Sequence, residues 1–315
     1  MKSANNPRVS IGMPVYNGEK YIEAAIKSIL AQTYSEFELI ISDNASTDRT
    51  MTICQAYVAE DRRIHYYRND HNLGAAPNFN RVFELSSGEY FKWASSDDVI
   101  APDYLEKCVN VLELNPEVIL SYPRTRIINE RGEFIGHHTY MADVSSGKPH
   151  ICFRNIVIYR EEVFQIFGLI RSSTLKKTAL IGSYPASDVV LLTELALWGK
   201  FFEVSDYLFF SRYHVNRSTK GALSVERDRV SWFDTSMEGK ILLPKWQLLS
   251  GFLRSIHKAP LSIYERAYCY LVMGRWILIP PHFRALGKDI YLAAKKLLIR
   301  TFVRPKKTQG GSTIE

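Results

Sequence analysis

The chain has 315 residues, 46% apolar and 23% charged, with a net charge of +7, the balance of a globular protein with a sizeable core. Four widely spaced cysteines without CxxC or HxxxH spacing exclude a disulfide frame or a zinc site of the usual pattern, and read as buried, reduced thiols. The sequence has no run of 18 or more apolar residues (the nearest, 268–279, contains Arg275), so no conventional membrane span is expected, and the first residues lack the apolar core of a secretory leader, so a cytoplasmic protein is expected.

Residues 8–16 are an apolar run with Pro14 near its end, read as a strand that turns at Asn17-Gly18. Over 19–32, Ile22, Ala25, Ile26, Ile29 and Leu30 recur at helical spacing. Residues 37–43 read as a second buried strand, and 48–59 as a helix capped by Ser46 or Thr47. A short strand at 63–67, a helix at 77–86 and a strand at 90–94 follow. Pro102 opens an amphipathic helix to residue 114. Beyond it, Glu130-Arg131-Gly132 reads as a hairpin turn, and 136–149, with His137 and His138, as a flexible loop near the site. Residues 163–170 read as a strand, 187–198 as a helix and 201–214 as strand-rich, and the pattern beyond 221 is helical without repeats.

Strands alternating with helices predict a parallel sheet flanked by helices, which binds ligands beyond the carboxyl ends of its strands. Three polar clusters fall at such ends: Tyr16-Asn17, Asp43-Asn44 and Asp97-Asp98. Their coincidence points to a nucleotide site. Adjacent carboxylates raise one another's pKa unless a cation lies between them, and their oxygens suit Mg2+ or Mn2+. Plainer readings stand beside these. Asp97-Asp98 also fits a turn before Pro102, Asp43 an Asx-turn, and Ser187 or Asp188 a helix N-cap. His214 also fits a packed or surface histidine, Arg81 a solvated arginine, Glu194 a salt-bridge partner, and Trp93 a packed strand residue.

From 284 to 307 there are eight basic residues and one acidic, a local excess equal to that of the whole chain. Leu286, Ile290, Ala293 and Leu297 share one helical face, with Lys288, Lys295 and Lys296 on the other side. That pattern suits either peripheral contact with an anionic membrane or ordinary packing with a solvated basic face. No interleaved aromatic platform accompanies the charge, so no nucleic-acid partner is expected. Residues 308–315 read as disordered.

Pro14-Val-Tyr-Asn-Gly-Glu19, Ala31-Gln-Thr-Tyr34, Ile41-Ser-Asp-Asn-Ala-Ser-Thr-Asp48, Asn72-Leu-Gly74, Ser96-Asp-Asp98 and Pro102-Asp-Tyr-Leu-Glu106 together resemble the nucleotide-binding half of the family 2 glycosyltransferases. Ser187-Asp188 and Arg212-Tyr-His214 carry the resemblance to about residue 218; the last hundred residues lie outside it. The resemblance implies an α/β GT-A fold, a Rossmann-like, mostly parallel sheet flanked by helices. A domain at 8–220 would divide into a nucleotide-binding half (8–100) and an acceptor half (101–220), before a helical extension with a basic tail at 221–315.

The resemblance also implies inverting transfer from a nucleoside-diphosphate sugar to the hydroxyl of a glycan or lipid-linked glycan, in surface polysaccharide or glycolipid synthesis at the inner face of the membrane. Carried over, Pro14, Tyr16, Glu19, Asp43, Asn44, Ser96 and Asp97 would line the nucleotide pocket, with Asp43 accepting a base N–H. Asp97, Asp98 and His214 would surround Mg2+ or Mn2+, Arg212 and Arg81 would meet phosphate, and Asp188 would be the catalytic base. Two positions depart from the family pattern. Ser95 replaces the first aspartate of Asp-x-Asp-Asp, lowering the expected metal affinity, and Ser187 replaces the glutamate before the base. Two other readings compete: a sugar nucleotidyltransferase, which lacks its Gly-rich phosphate loop here, and a degenerate nucleotide-sugar-binding scaffold, against which Asp97, Asp98 and Asp188 argue.

Overall fold

The computed structural model describes residues 7–139, 144–158, 162–215, 217 and 232–302; parts of the expected 136–149 loop and of the basic tail, and all of 308–315, lie outside them. The first half is β1 (Val9–Val15), α1 (Ile22–Leu30), β2 (Phe37–Asp43), α2 (Thr50–Glu60), β3 (Ile64–Arg68), α3 (Ala75–Glu84) and β4 (Tyr90–Trp93). β1 and β2 are buried along their whole length, as parallel strands covered on both faces must be. β1 pairs in parallel with β2 and β4, and β2 with β3.

The second half adds β5 (Val99–Ile100), α4 (Tyr104–Leu114), β6 (Val118–Ile128), β7 (Phe134–His137), α5 (Pro149–Ile158), β8 (Leu169–Arg171), α6 (Ser172–Leu175), α7 (Ser187–Ala196) and β9 (Lys200–Arg212). The sheet runs β3-β2-β1-β4-β8-β6-β9-β5, with β7 beside β6. Its long pairings are parallel, including β6 with β9, while β8, β5 and β7 join through short antiparallel ones. Val15 lies opposite Asp43 and Gly12 opposite Trp93, so the three polar clusters emerge side by side at one edge. Gly12 lets α3 close onto the sheet: a Cβ there would lie 2.6 Å from Val82 Cγ2.

α1 and α4 cover one face, where Ile26, Ile29, Leu105 and Leu112 pack on Ile11 and Leu39. α3, α5 and α7 cover the other. Three C-terminal helices follow, α8 (Pro244–Lys258), α9 (Ile263–Leu278) and α10 (Pro280–Phe302). Phe252 and Trp276 bury into the same core as Val190 and Leu191, so this extension shares its hydrophobic interior with α7 and the sheet it covers. All four cysteines are free and buried. Among the described residues, no helix is long and apolar enough to cross a membrane.

Several expected features differ. Residues 163–170 are not one strand: Phe164–Phe167 forms a 3-10 turn, and Gly168 separates it from β8. The 136–149 segment begins inside β7 and ends as α5 starts at Pro149. Neither Ser46 nor Thr47 caps α2, whose N-cap position is Arg49; Asp48, one residue earlier, accepts from Thr50 N at 3.0 Å. Glu194 is buried, and its Oε2 accepts from Ala179 N at 3.0 Å, so it anchors backbone instead of forming a surface ion pair. The expected apolar face of α10 splits: Leu286 is buried while Ile290 and Leu297 are exposed. Lys296 turns inward, with Nζ donating to the carbonyls of Gly239 and Lys240.

Candidate active site

The turns after β1 and β2 interlock. Asn17 adopts a left-handed conformation (φ 52°), a cost that asparagine bears better than most residues. Its Oδ1 accepts from Thr47 N, and its own N–H donates to Ser46 Oγ. Asp48 Oδ2 accepts from Glu19 N, and Glu19 Oε2 from Arg49 N. Pro14 is buried in β1, and Tyr16 stands half-exposed at the rim.

Asp43 is fully buried. Oδ1 accepts from Ser46 N at 2.8 Å, and Oδ2 from Tyr66 OH at 2.6 Å and Arg68 Nη1 at 2.7 Å. Burial first, then the Asp43 bond, push the Tyr66 hydroxyl well above its usual range. A base N–H could reach Asp43 only by displacing one of these partners. Asn44 is also internally engaged: it donates to Asn72 Oδ1 and Gly74 O, and accepts from Asn69 Nδ2 and Leu73 N. It therefore shapes the 69–74 wall.

Residues 95–98 follow β4. Asp97 Oδ2 lies 2.8 Å from His214 Nε2, although 117 residues separate the two in sequence. Ser95 Oγ donates to Asp97 Oδ1. Burial pushes the Asp97 carboxyl up, but the hydrogen bonds from His214 and Ser95 outweigh it and hold it below the usual carboxylate range. A quarter of the Asp97 side chain remains exposed, so an ion from solvent can reach it. Asp98 is buried, and its Oδ1 accepts from Arg212 N at 2.8 Å. Burial, then the charge of Asp97, push its carboxyl up to about 8.

Among the described residues, no three His, Cys, Asp or Glu side chains are arranged to hold a metal. Asp97 and His214 converge and Asp98 stands behind them, a sparse set that suits an ion retaining waters and substrate phosphates. Ser96 borders Gly18 in the turn after β1.

Arg212 serves the backbone. Nε donates to Asp97 O at 2.9 Å and Nη1 to the carbonyls of Asn129 and Glu130, and its guanidinium lies 4.9 Å from the Tyr21 ring centre. These contacts hold the 95–98 turn. Arg81, on α3, has a buried Nε without a partner and does not line the cavity.

That cavity, of about 500 Å³, joins Ser95, Asp97 and Asp98 to Asp188. Ala186 takes a left-handed conformation (φ 65°) just before α7. Asp188, in the first helical turn, accepts from Val189 N at 2.9 Å. Phe79, Phe164, Phe167, Trp232 and Phe233 supply much of the wall. Two further polar residues line it, of which Ser187 reads in the sequence only as a cap or a departure from the family pattern and Arg217 has no signal there. Ser187 Oγ is buried without a partner. Arg217 is the one cation among the described lining residues; it pairs with Glu162 Oε1 at 3.1 Å and stacks 4.0 Å over Tyr213. His137 instead stacks between Phe134 and Tyr207. A larger depression, about 1370 Å³, lies by Arg8, Glu36, Arg63 and Arg171 at the amino ends of the strands. Ligands of parallel sheets bind at the opposite edge, and the carboxylates lie there too, so the smaller cavity is the site.

A family model described as Glycosyl transferase family 2 matches residues 10–175. An uncharacterized glycosyltransferase of Rickettsia prowazekii is 32% identical over 235 residues, covering 70% of this chain and 68% of the relative. An uncharacterized glycosyltransferase of Haemophilus influenzae is 26% identical over 242 residues, covering 73% and 75%. Among solved structures, S. aureus TarS 1-349 in complex with UDP-GlcNAc has a TM-score of 0.56 at 18% identity, covering 95% of this chain and 93% of that one. Mannosyltransferase PcManGT from Pyrobaculum calidifontis, in complex with GDP-Man and Mn2+, has a TM-score of 0.56 at 16% identity, covering 96% and 77%. At these identities the two structures establish likeness of fold alone.

Proposed function

The chain belongs to glycosyltransferase family 2, and from that premise we propose that it moves a sugar, with inversion, from a nucleoside-diphosphate sugar to a hydroxyl of a glycan or lipid-linked glycan. It is a glycosyltransferase with a GT-A fold. The observation that carries the finer reading is the single cavity bordered by Asp97 at one end of the sheet and Asp188 on α7.

Pro14, Tyr16, Glu19, Asp43, Asn44 and Ser96 form the nucleotide side. Tyr16 offers its exposed ring to the base, and Asp43 meets a base N–H when Arg68, about one-third exposed, swings aside. Asp97 and His214 hold Mg2+ or Mn2+, with Asp98 in support; the ion seen with PcManGT is Mn2+. When bound, the ion supplies Lewis-acid charge opposite the departing diphosphate. Arg217 adds a fixed positive charge at the cavity wall, where leaving-group charge develops.

Asp188 takes the acceptor proton as the acceptor oxygen forms its bond to the anomeric carbon. The bond to the diphosphate breaks on the opposite face, which gives inversion. We assign 8–100 to the donor, 101–220 to the acceptor and 221–315 to an extension that supports the acceptor half, with peripheral contact at the inner face of a membrane. Surface polysaccharide or glycolipid synthesis is the corresponding role. Transfer measured with Asp188→Asn should fall by about 10²–10⁴-fold with donor affinity unchanged; a wild-type rate would remove Asp188 from the chemistry.

A further inference from the structure

We propose that the outward faces of α9 and α10 form one docking surface for an anionic lipid bilayer, to which both helices supply apolar contact. The proposal deepens the membrane part of the functional reading and takes its purpose, though not its geometry, from that reading.

A helix on a protein surface normally turns a polar face to water. α9 does not. Its inward side buries Cys269, Val272, Met273 and Trp276, yet its outward row, Ile263, Ala267, Leu271, Gly274 and Leu278, is also apolar at helical spacing. Ile263 is 90% exposed, Leu271 74% and Leu278 76%. No atom lies within 4 Å of a Cβ built at Gly274, so nothing described covers the row. Tyr264 and Tyr270 flank it, residues whose apolar ring and polar tip suit a membrane boundary.

α10 continues the pattern. Phe283, Ile290 and Leu297 recur every seventh residue and are each more than half exposed, with Gly287 open between them. Arg275, Arg284 and Lys295 are exposed beside these apolar rows. The two acids of the helices are engaged inward: Glu265 closes the capping box with Ser262, and Asp289 is buried, accepting from Lys245 N at 2.7 Å.

Charge chooses the occupant. Two copies joined through this face by a two-fold axis would set basic residues against basic residues. An anionic lipid surface is complementary, since apolar side chains enter below the headgroups while Lys and Arg meet their charge.

The test uses the full chain, sedimented with vesicles of phosphatidylcholine alone or mixed with phosphatidylglycerol. Wild type should pellet with the anionic vesicles and be released by salt. Leu271→Glu/Leu278→Glu should stay in the supernatant, and Arg284→Gln/Lys295→Gln should bind about thirtyfold more weakly. Both variants should keep nucleotide-sugar binding, because none of these residues belongs to the catalytic cavity. Wild type that ignores anionic vesicles, or a Leu271→Glu/Leu278→Glu protein that still pellets, would overturn the proposal. So would a concentration-dependent dimer that this variant dissolves, since the face would then belong to a second copy. Vesicle binding without any nucleotide-sugar response would instead refute the functional reading and leave the docking surface standing.

Discussion

Lys92 on β4 is a buried amine whose cost can be measured. Its side chain is 1% exposed, Nζ donates to Trp93 O at 3.0 Å, and the Tyr104 ring centre lies 4.8 Å away. Burial pulls its pKa from 10.5 down to about 8. Between those values the unfolded chain binds the proton and the folded chain does not, so stability rises with pH across the window; below about 8 the full penalty applies. At about 1.4 kcal/mol per pH unit, the penalty at pH 7 is about 3 kcal/mol. Lys92→Met keeps the stem volume at a cost below about 1.5 kcal/mol and forfeits a hydrogen bond worth about 1 kcal/mol. The variant should therefore be about 1 kcal/mol more stable than wild type at pH 7 and less stable at pH 10.5, where the penalty has vanished. Urea unfolding at both pH values reads this directly. A variant less stable at pH 7 by the same margin as at pH 10.5 would refute the reasoning, and would mean that the buried amine keeps its ordinary pKa in the fold.

Three further outcomes follow from the same geometry. Arg212→Ala strips donors from the carbonyls of Asp97, Asn129 and Glu130; thermal unfolding should record a loss of about 3 kcal/mol, and metal-supported donor binding should weaken as the 95–98 turn loosens. Trp276→Ala empties a fully buried site packed on Phe252 and His282, and should cost about 3–5 kcal/mol in denaturant unfolding. Burial raises the Glu194 carboxyl above its usual range, so that penalty grows as pH rises; Glu194→Gln should gain on wild type in stability from pH 4 to pH 8, and a gap that stays constant would contradict the burial account.

The parallel half was legible because β1 and β2 are apolar runs buried on both faces, and α1 shows one clean helical stripe. The strand-end clusters marked the site for the same reason: the sheet delivers successive carboxyl ends to one edge. β6 escaped because Pro123 and the exposed Arg124 and Arg126 interrupt its apolar run. The structure accommodates them with register irregularities between Pro123 and Thr125, against β9, as proline inside a sheet requires. α5 was hidden because Ile151, Ile156, Val157 and Ile158 make the run read as a strand, although Cys152, Phe153, Ile156 and Val157 are buried along one helical face. The meeting of His214 with Asp97 came from family resemblance, not from spacing. Arg217 carried no signal, since its place in the wall depends on how the chain leaves β9 and meets Glu162. The inward turn of Asp98 and the full engagement of Asp43 are packing outcomes that a motif cannot encode.

The central claim is a nucleotide-sugar site completed by a divalent ion at Asp97. Its most direct test is thermal stabilisation of wild type and Asp97→Asn by a panel of nucleoside-diphosphate sugars, with and without Mn2+. Wild type should gain about 2.7 kcal/mol at 100 times the dissociation constant of one donor, only with the ion present, and Asp97→Asn should lose that gain. Equal stabilisation of both proteins, or a gain indifferent to Mn2+, would contradict the account.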